Sequence, residues 1–476
     1  MKFRKSGAAI AIAAMLSACG GDDGGSGAGI SSGGAATGTT VNGCSLAARQ
    51  EWVAQQLREW YLFPETLPTN LNQGAYTTID GYIDALTATA RGQSKDRYFT
   101  HITSIREENA YYQSGASAGF GLRFTLDASQ TRLMIAEAFE GGPGLAAGID
   151  RGAELVGIGT TTGNVRSIRD IVTANRQTGL EDALGPDTAG TMRVLRIAAN
   201  GTTRDISVTK TDFALQPVSP RYGTQIINDE GRRVGYLNLR TFINTADPQL
   251  RAAFATFKQQ GVTDVVIDLR YNGGGLIDTA ELFSDLLGGA RQSSEVQSYT
   301  SFRPDKASRN TTRLFQPQPE SIAPTRIAFI GTGGTASASE LVINAAIPYF
   351  RANAALIGTN TYGKPVGQIP LDRPECDDRL RVVALATQNA DRQGEYYTGL
   401  AGFVKASCHA GDDLSRPLGD PQEASLRAAL NFLAGRTCTP INTSGNAAAR
   451  SLPASSYRLL TPTRPTTPQR EVPGLF

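Results

Sequence analysis

The sequence predicts a multi-domain α/β protein: a small helical N-terminal cap, a β-rich middle domain, and an α/β core of strand, glycine loop and helix units. Three observations carry that prediction. At 476 residues the chain exceeds one ordinary domain, and 40% hydrophobic with 19% charged residues suits a protein with a large buried core. Short alternating apolar runs crowd between Ala116 and Asp212, as half-buried strands require. Beyond Phe213, an apolar run is twice followed by glycines and then by apolar residues at helical spacing, from Val262 to Leu287 and from Arg326 to Phe350.

At the start, Met1–Lys5 carries Lys2, Arg4 and Lys5, Ser6–Leu16 is a short apolar segment, and Leu16-Ser17-Ala18 sets small residues before Cys19. Residues 1–18 therefore read as a bacterial secretion signal, too short to span a membrane as a helix. The Leu-Ser-Ala-Cys stretch resembles a lipoprotein processing box. That implies a lipidated Cys19 heading the mature chain on the periplasmic side of the cell envelope, and Gly20 and Gly21 after it favour the outer membrane. Removing Lys2, Arg4 and Lys5 takes the formal charge from +2 to −1, so nothing basic points to nucleic acid. After Cys19, Gly, Ser and Thr dominate Gly20–Gly43, a flexible tether of about 24 residues with a mean reach of roughly 25–30 Å.

Residues 44–112 read as the helical cap: Val53, Leu57, Trp60 and Tyr61 share one face and Trp52 borders it, an aromatic stripe that belongs to a core. Over 113–212 the expected strands are Gly119–Phe124, Arg132–Phe139, Glu154–Gly159, Thr191–Ala198 and Arg204–Lys210, with one helix near Ser167–Arg176. Gly119-Phe120-Gly121 before a strand, and the run GGPGLAAGIDRGAELVGIG at Gly141–Gly159, resemble a PDZ domain. The resemblance implies a groove around Gly119, Phe120 and Gly121 that adds a peptide's C-terminal end as a strand and holds its carboxylate with backbone N–H groups. Two serine motifs here are set aside. Ser117 sits in G-x-S-x-G without the buried strand that such an elbow needs, and Ser207 and Lys210 lie three apart on an alternating strand, on opposite faces. Asp150, Arg151, Glu154 and Asp170 read as a solvated surface.

The α/β core, 213–438, opens with the strand Val234–Leu239 and the helix Asp247–Gln260. The strand Val262–Leu269 then leads through Gly273–Gly275 to the helix Leu276–Leu287. The second unit is the strand Arg326–Gly331, a turn over Gly331–Thr335, and a helix opening on Ser337. A hydroxyl there has unpaired backbone N–H groups beside it and the positive end of the helix dipole beneath it, which makes Ser337 a candidate nucleophile. The next strand, Ala354–Ile357, leads into the loop Gly358–Gly363 that delivers Lys364. Its uncharged neighbours would let burial lower its pKa toward a working base. Only His101 and His409 are present and no H-E-x-x-H motif occurs, so no metal or other cofactor is expected.

The motifs TASASE at Thr335–Glu340, YGKPVGQ at Tyr362–Gln368 and DLRYNGGG at Asp268–Gly275 resemble the signature of the C-terminal-processing (tail-specific) serine peptidases. The resemblance implies a Ser337 nucleophile, a Lys364 general base oriented by Gln368, and an oxyanion hole from the N–H groups of Gly274 and Ala338, with Gly273 as the alternative to Gly274. Ser339 competes with Ser337 but stands one residue, not three, before Glu340. Pro365 occupies the position after the lysine where that family usually has glycine. Arg270 and Glu340 are expected as structural ion-pairing groups.

Besides Cys19 there are four cysteines, an even number suited to disulfides in an exported chain, with Cys376–Cys408 and Cys44–Cys438 the expected pairs among three possibilities. The tail 439–476, rich in Pro, Ser, Thr and Arg, is expected to be irregular. The function implied is a lipid-anchored serine endopeptidase of the envelope that recognises protein C-termini through the PDZ-like domain and cleaves through an acyl-enzyme. A catalytically silent peptide-binding lipoprotein on the same scaffold is the alternative. An esterase using Ser117 would need an aspartate and His409 beside it.

Overall fold

In the computed structural model, which describes residues 43–442 and 457–476, both strand, loop and helix units lie side by side in one six-stranded sheet. The secretion signal 1–18, Cys19, the tether to residue 42 and the tail residues 443–456 lie outside the described residues. The sheet order is Thr224–Asp229, Arg232–Asn238, Asp264–Asp268, Arg326–Gly331, Ala354–Gly358 and Ala406–His409. The first strand is antiparallel to its neighbour and the others are parallel. Helices Ala246–Gln259, Ile277–Leu287 and Ala338–Phe350 cover one face and Ala424–Leu433 the other. Strands buried on both faces need apolar side chains at every position, which is why Val265-Val266-Ile267 and Ile327-Ala328-Phe329 do not alternate. The loops leaving the parallel strands lie at the carboxyl ends of those strands, where open α/β sheets form crevices.

Residues 44–112 are helical over Leu46–Trp60, Ile79–Leu86, Ala88–Gly92 and Ile105–Ser114, but His101–Ser104 is a strand of a second sheet. It pairs there with Asp378–Gln388. The helical part is therefore no free-standing cap: Val53, Leu57 and Tyr61 share one apolar cluster with Val366, Leu380, Val382 and Val383. That packing brings Cys44 to the turn Pro374–Cys376. The disulfides are Cys44–Cys376 and Cys408–Cys438, with Cα separations of 5.5 and 5.4 Å, in place of the expected Cys376–Cys408 and Cys44–Cys438. In the second of these, the His409 N–H donates to the Thr439 carbonyl and so lays Cys438 beside the strand that carries Cys408.

The β-rich region forms a sheet in the order Tyr457–Leu459, Leu122–Asp127, Leu133–Ala138, Glu154–Gly159, Met192–Ala199 and Thr202–Thr209, with the helix Ile168–Leu184 packed on it. Gly119–Phe124 is not one strand. Ala116–Gly119 pairs with Thr211–Ala214, and the chain turns at Gly121, which has φ +64° and where a Cβ would stand 2.6 Å from the Gly142 Cα. The tail departs further from expectation. Within 457–476 it holds the strand Tyr457–Leu459 and the helix Thr467–Glu471, so it is not irregular throughout. Arg151, expected on a solvated surface, is buried between the β-rich region and the core, where it donates to Asp412 at 2.7 Å and to the Tyr271 hydroxyl at 3.0 Å.

Candidate active site

The strand Arg326–Gly331 delivers the chain to a turn tied down by its own hydroxyls. The Thr335 Oγ1 accepts from the Thr332 N–H at 2.9 Å and donates to the Leu269 carbonyl at 2.9 Å. The Ala336 N–H donates to the Asn272 carbonyl at 3.0 Å. At Ser337 the backbone takes φ +54° and ψ −114°, a conformation that costs a non-glycine residue on the order of 1–3 kcal/mol and must be held by its surroundings. The holding group is Glu340, whose Oε2 accepts the Ser337 N–H at 3.1 Å. Ser337 is half-buried and lines a cavity of about 190 Å³. Ser339 is fully buried, and its hydroxyl donates to the Asn272 carbonyl at 3.0 Å, so the competing serine is committed elsewhere.

Lys364 lines the same cavity. Its loop is gripped by the carboxylate that holds Ser337: Glu340 accepts the Gly363 and Lys364 N–H groups, both at 2.7 Å, and the Thr361 hydroxyl at 2.6 Å. Glu340 was expected in an ion pair. It is instead a fully buried hydrogen-bond hub, with burial pushing its pKa up and those donors opposing the rise. Arg270 does ion-pair, with Asp268 at 3.0 Å and Glu423 at 2.8 Å. The Lys364 Nζ donates to the Gln368 Oε1 at 2.8 Å, and the Gln368 Nε2 donates in turn to the Phe99 carbonyl. Burial pushes the Lys364 ammonium below its ordinary pKa; Arg470 and Arg381 act the same way, while Glu471 and Asp96 pull it back up.

Gly274 packs against the nucleophile turn so closely that a Cβ there would stand 2.8 Å from the Ser337 Cβ. Its N–H, however, donates to the Asn272 Oδ1 at 2.9 Å. The Gly273 N–H instead donates to a main-chain carbonyl, that of Glu471, at 2.8 Å. Of the two glycines, Gly273 is the one whose N–H meets a main-chain carbonyl, while Gly274 is the one that packs against Ser337. The Ala338 N–H lies in the first turn of Ala338–Phe350, where helix N–H groups lack intrahelical partners.

Three groups escaped the sequence reading. His101 lines the Ser337–Lys364 cavity, bonded through Nδ1 to the Phe99 carbonyl at 2.7 Å, with burial holding its pKa well below the usual imidazole range. Arg470 and Glu471, from the tail, line it too. Only the count of two histidines hinted at the first, and nothing in a Pro- and Thr-rich tail marked the others. The expected peptide-binding residues are placed differently from one another: Gly119 lies against the main chain of Phe476, while the Phe120 ring is fully buried in the β-rich core beneath the Lys210 ammonium. Lys210 pairs with Asp187, and Ser117 sits on the short strand Ala116–Gly119, preceded by a helix and not by a buried strand.

Residues 233–394 match peptidase family S41. The chain is 26% identical over 277 residues to carboxyl-terminal-processing peptidase 3 of Arabidopsis thaliana chloroplasts, covering 56% of this chain and 49% of that one. It is 27% identical over 276 residues to a carboxyl-terminal-processing protease of Picosynechococcus, covering 55% and 58%. The chain thus spans about half the length of these relatives. A solved structure from Bacteroides fragilis assigned to the S41 proteases shares the fold, with a TM-score of 0.60 and 24% identity over 81% of this chain and 97% of that one. Both glycine-loop units of the α/β sheet lie within the matched residues. Residues 233–394 thus carry an S41 peptidase match, and the chain is similar to the carboxyl-terminal-processing peptidases over about half its length.

Proposed function

We propose that this protein is a serine endopeptidase in which Ser337 attacks a peptide carbonyl and Lys364 takes its proton. The observation that carries the proposal is the single cavity shared by a serine held at positive φ on a helix start and a lysine whose pKa burial has lowered. Lys364, neutral in the attacking state, accepts the Ser337 Oγ proton and returns it to the leaving amine, while Gln368 holds its Nζ in place. The N–H groups of Ala338 and Gly273 face the developing oxyanion. Water then hydrolyses the acyl-enzyme by the same route.

Substrates enter by the C-terminal end of a polypeptide, bound on the PDZ-like sheet beside Gly119 and Gly121. A lipidated Cys19 anchors the protein at the periplasmic side of the envelope, the outer membrane first. Mass spectrometry of envelope protein should find a lipid-modified N-terminal Cys19, and an unmodified chain starting elsewhere would refute the anchor. The decisive experiment for the chemistry is a fluorophosphonate serine probe. It should label the wild type and Ser339→Ala but not Ser337→Ala, and labelling of Ser337→Ala would end the assignment. His101 supports a second reading of the base, because it lines the same cavity and burial holds its pKa well below the usual imidazole range. Under that reading His101→Ala, and not Lys364→Ala, abolishes turnover.

A further inference from the structure

We propose that the chain's own segment Pro465–Phe476 is a resident peptide ligand of the substrate path, seated in the β-rich groove and across the catalytic cleft, and that substrates must displace it. This rests on the peptidase reading above. Gly474–Phe476 lie antiparallel along Leu122–Phe124. The Leu122 N–H donates to the Phe476 carbonyl at 3.2 Å, the Phe476 N–H to the Leu122 carbonyl at 2.9 Å, and the Phe124 N–H to the Gly474 carbonyl at 2.8 Å. That ladder is how a peptide is added to a sheet edge. The Phe476 ring is 3% exposed and meets Phe124 edge-on at 5.8 Å. The buried Arg123 adds a bond from Nε to the Pro473 carbonyl at 3.0 Å.

Upstream, the helix Thr467–Glu471 stands between the Ser337–Lys364 cavity and a second, larger cavity of about 620 Å³, with Arg470 and Glu471 lining both. Here too the contact is through main chain, because the Glu471 carbonyl takes the Gly273 N–H. A tail that needed only burial could achieve it through side chains. One that meets both the groove and the glycine loop with its backbone is bound as a peptide is bound. It is not presented for cutting, since residues 467–471 are wound into a helix, with the Pro468 carbonyl accepting from the Val472 N–H at 2.8 Å. Its two charges act on the base in opposite directions: burial favours the neutral form of Lys364, Glu471 favours the ammonium form, and Arg470 favours the neutral form. The segment is pinned by Gln469, which donates from Nε2 to the Leu475 carbonyl at 3.0 Å and to the Asp187 carboxylate at 2.5 Å.

The test uses the full chain. Gln469→Ala removes the bonds to Asp187 and Leu475 that fasten the segment, and Phe476→Ala removes its anchoring ring. A competing resident lowers apparent substrate affinity by the fraction of open molecules, so kcat/KM on a peptide with a free apolar C-terminus should rise about fivefold or more, mainly through KM. A synthetic peptide of residues 465–476 should restore the slow rate competitively. A Gln469→Ala rate within twofold of wild type, or below it, overturns the proposal whatever Phe476→Ala does to folding, and so does failure of the peptide to inhibit Gln469→Ala. The serine probe separates the two readings. Labelling of Ser337 with unchanged peptide kinetics removes the tail proposal alone, whereas no labelling in any variant removes the peptidase reading and the tail proposal with it.

Discussion

The two strand, loop and helix units of the core share a plan and divide the chemistry. After Asp264–Asp268 the loop is mostly backbone, with positive φ at Tyr271, Gly274 and Gly275 and the Gly273 N–H turned toward a carbonyl. After Arg326–Gly331 the loop places one side chain, holding the non-glycine Ser337 at φ +54°. Each loop shapes the other. The Asn272 carbonyl accepts both the Ala336 N–H and the Ser339 hydroxyl, and Gly274 leaves no room for a Cβ beside Ser337. The difference teaches that glycine supplies close approach for donors, whereas a nucleophile requires a side chain and hence a strained residue with a dedicated support.

The largest effects should come from the second unit. Lys364→Ala and Lys364→Arg should each lower peptide hydrolysis by roughly 10⁴-fold or more with unchanged circular dichroism, since a guanidinium cannot surrender its proton near neutral pH. Normal turnover by either would break the division proposed. Next comes the first unit: Gly274→Ala puts a methyl 2.8 Å from the Ser337 Cβ at φ +125°, and kcat should fall about 100- to 1000-fold, on the scale of losing an oxyanion donor. If kcat survives, the glycine loop is not part of the site.

Smaller is a pH effect. Turnover needs neutral Lys364, so kcat/KM should rise with pH through a lysine pKa lying below its ordinary value of about 10.4. Glu471 raises that pKa, so Glu471→Gln should move the rising limb to lower pH; a shift upward would contradict the placement of Glu471 beside the base. The smallest effect is Ser339→Ala. It removes one buried hydrogen bond and should cost about 1 kcal/mol in a denaturant titration while leaving activity within severalfold of wild type.

Much of this was legible beforehand because apolar periodicity and glycine turns are local. Arg326–Gly331 and the helix after Ser337 follow from short-range pattern, whereas the return of Lys364 needed the pairing of Arg326–Gly331 with Ala354–Gly358. What escaped was set by long-range packing. The partner of Cys44 depends on the N-terminal helices docking on the strands around Val382, and Arg151 is buried only because Asp412 and Tyr271 arrive from distant segments. Glu340 looked like half of an ion pair because its four donors, three of them backbone N–H groups, have no side-chain charge to announce them. The tail was opaque for the same reason: its seat on Leu122–Phe124 is a backbone ladder, which composition does not encode.

Between them, Tyr457–Leu459 and Gly474–Phe476 cover the strand Leu122–Asp127 along its length. A strand so covered has no open N–H and C=O row to recruit another molecule. Once the second segment leaves, Leu122 and Phe124 belong to a bare edge beside buried aromatic surface, the kind that templates pairing between chains. Variants that release the tail should self-associate as their concentration rises, and an added peptide that fills the vacated edge should keep them monodisperse in sedimentation.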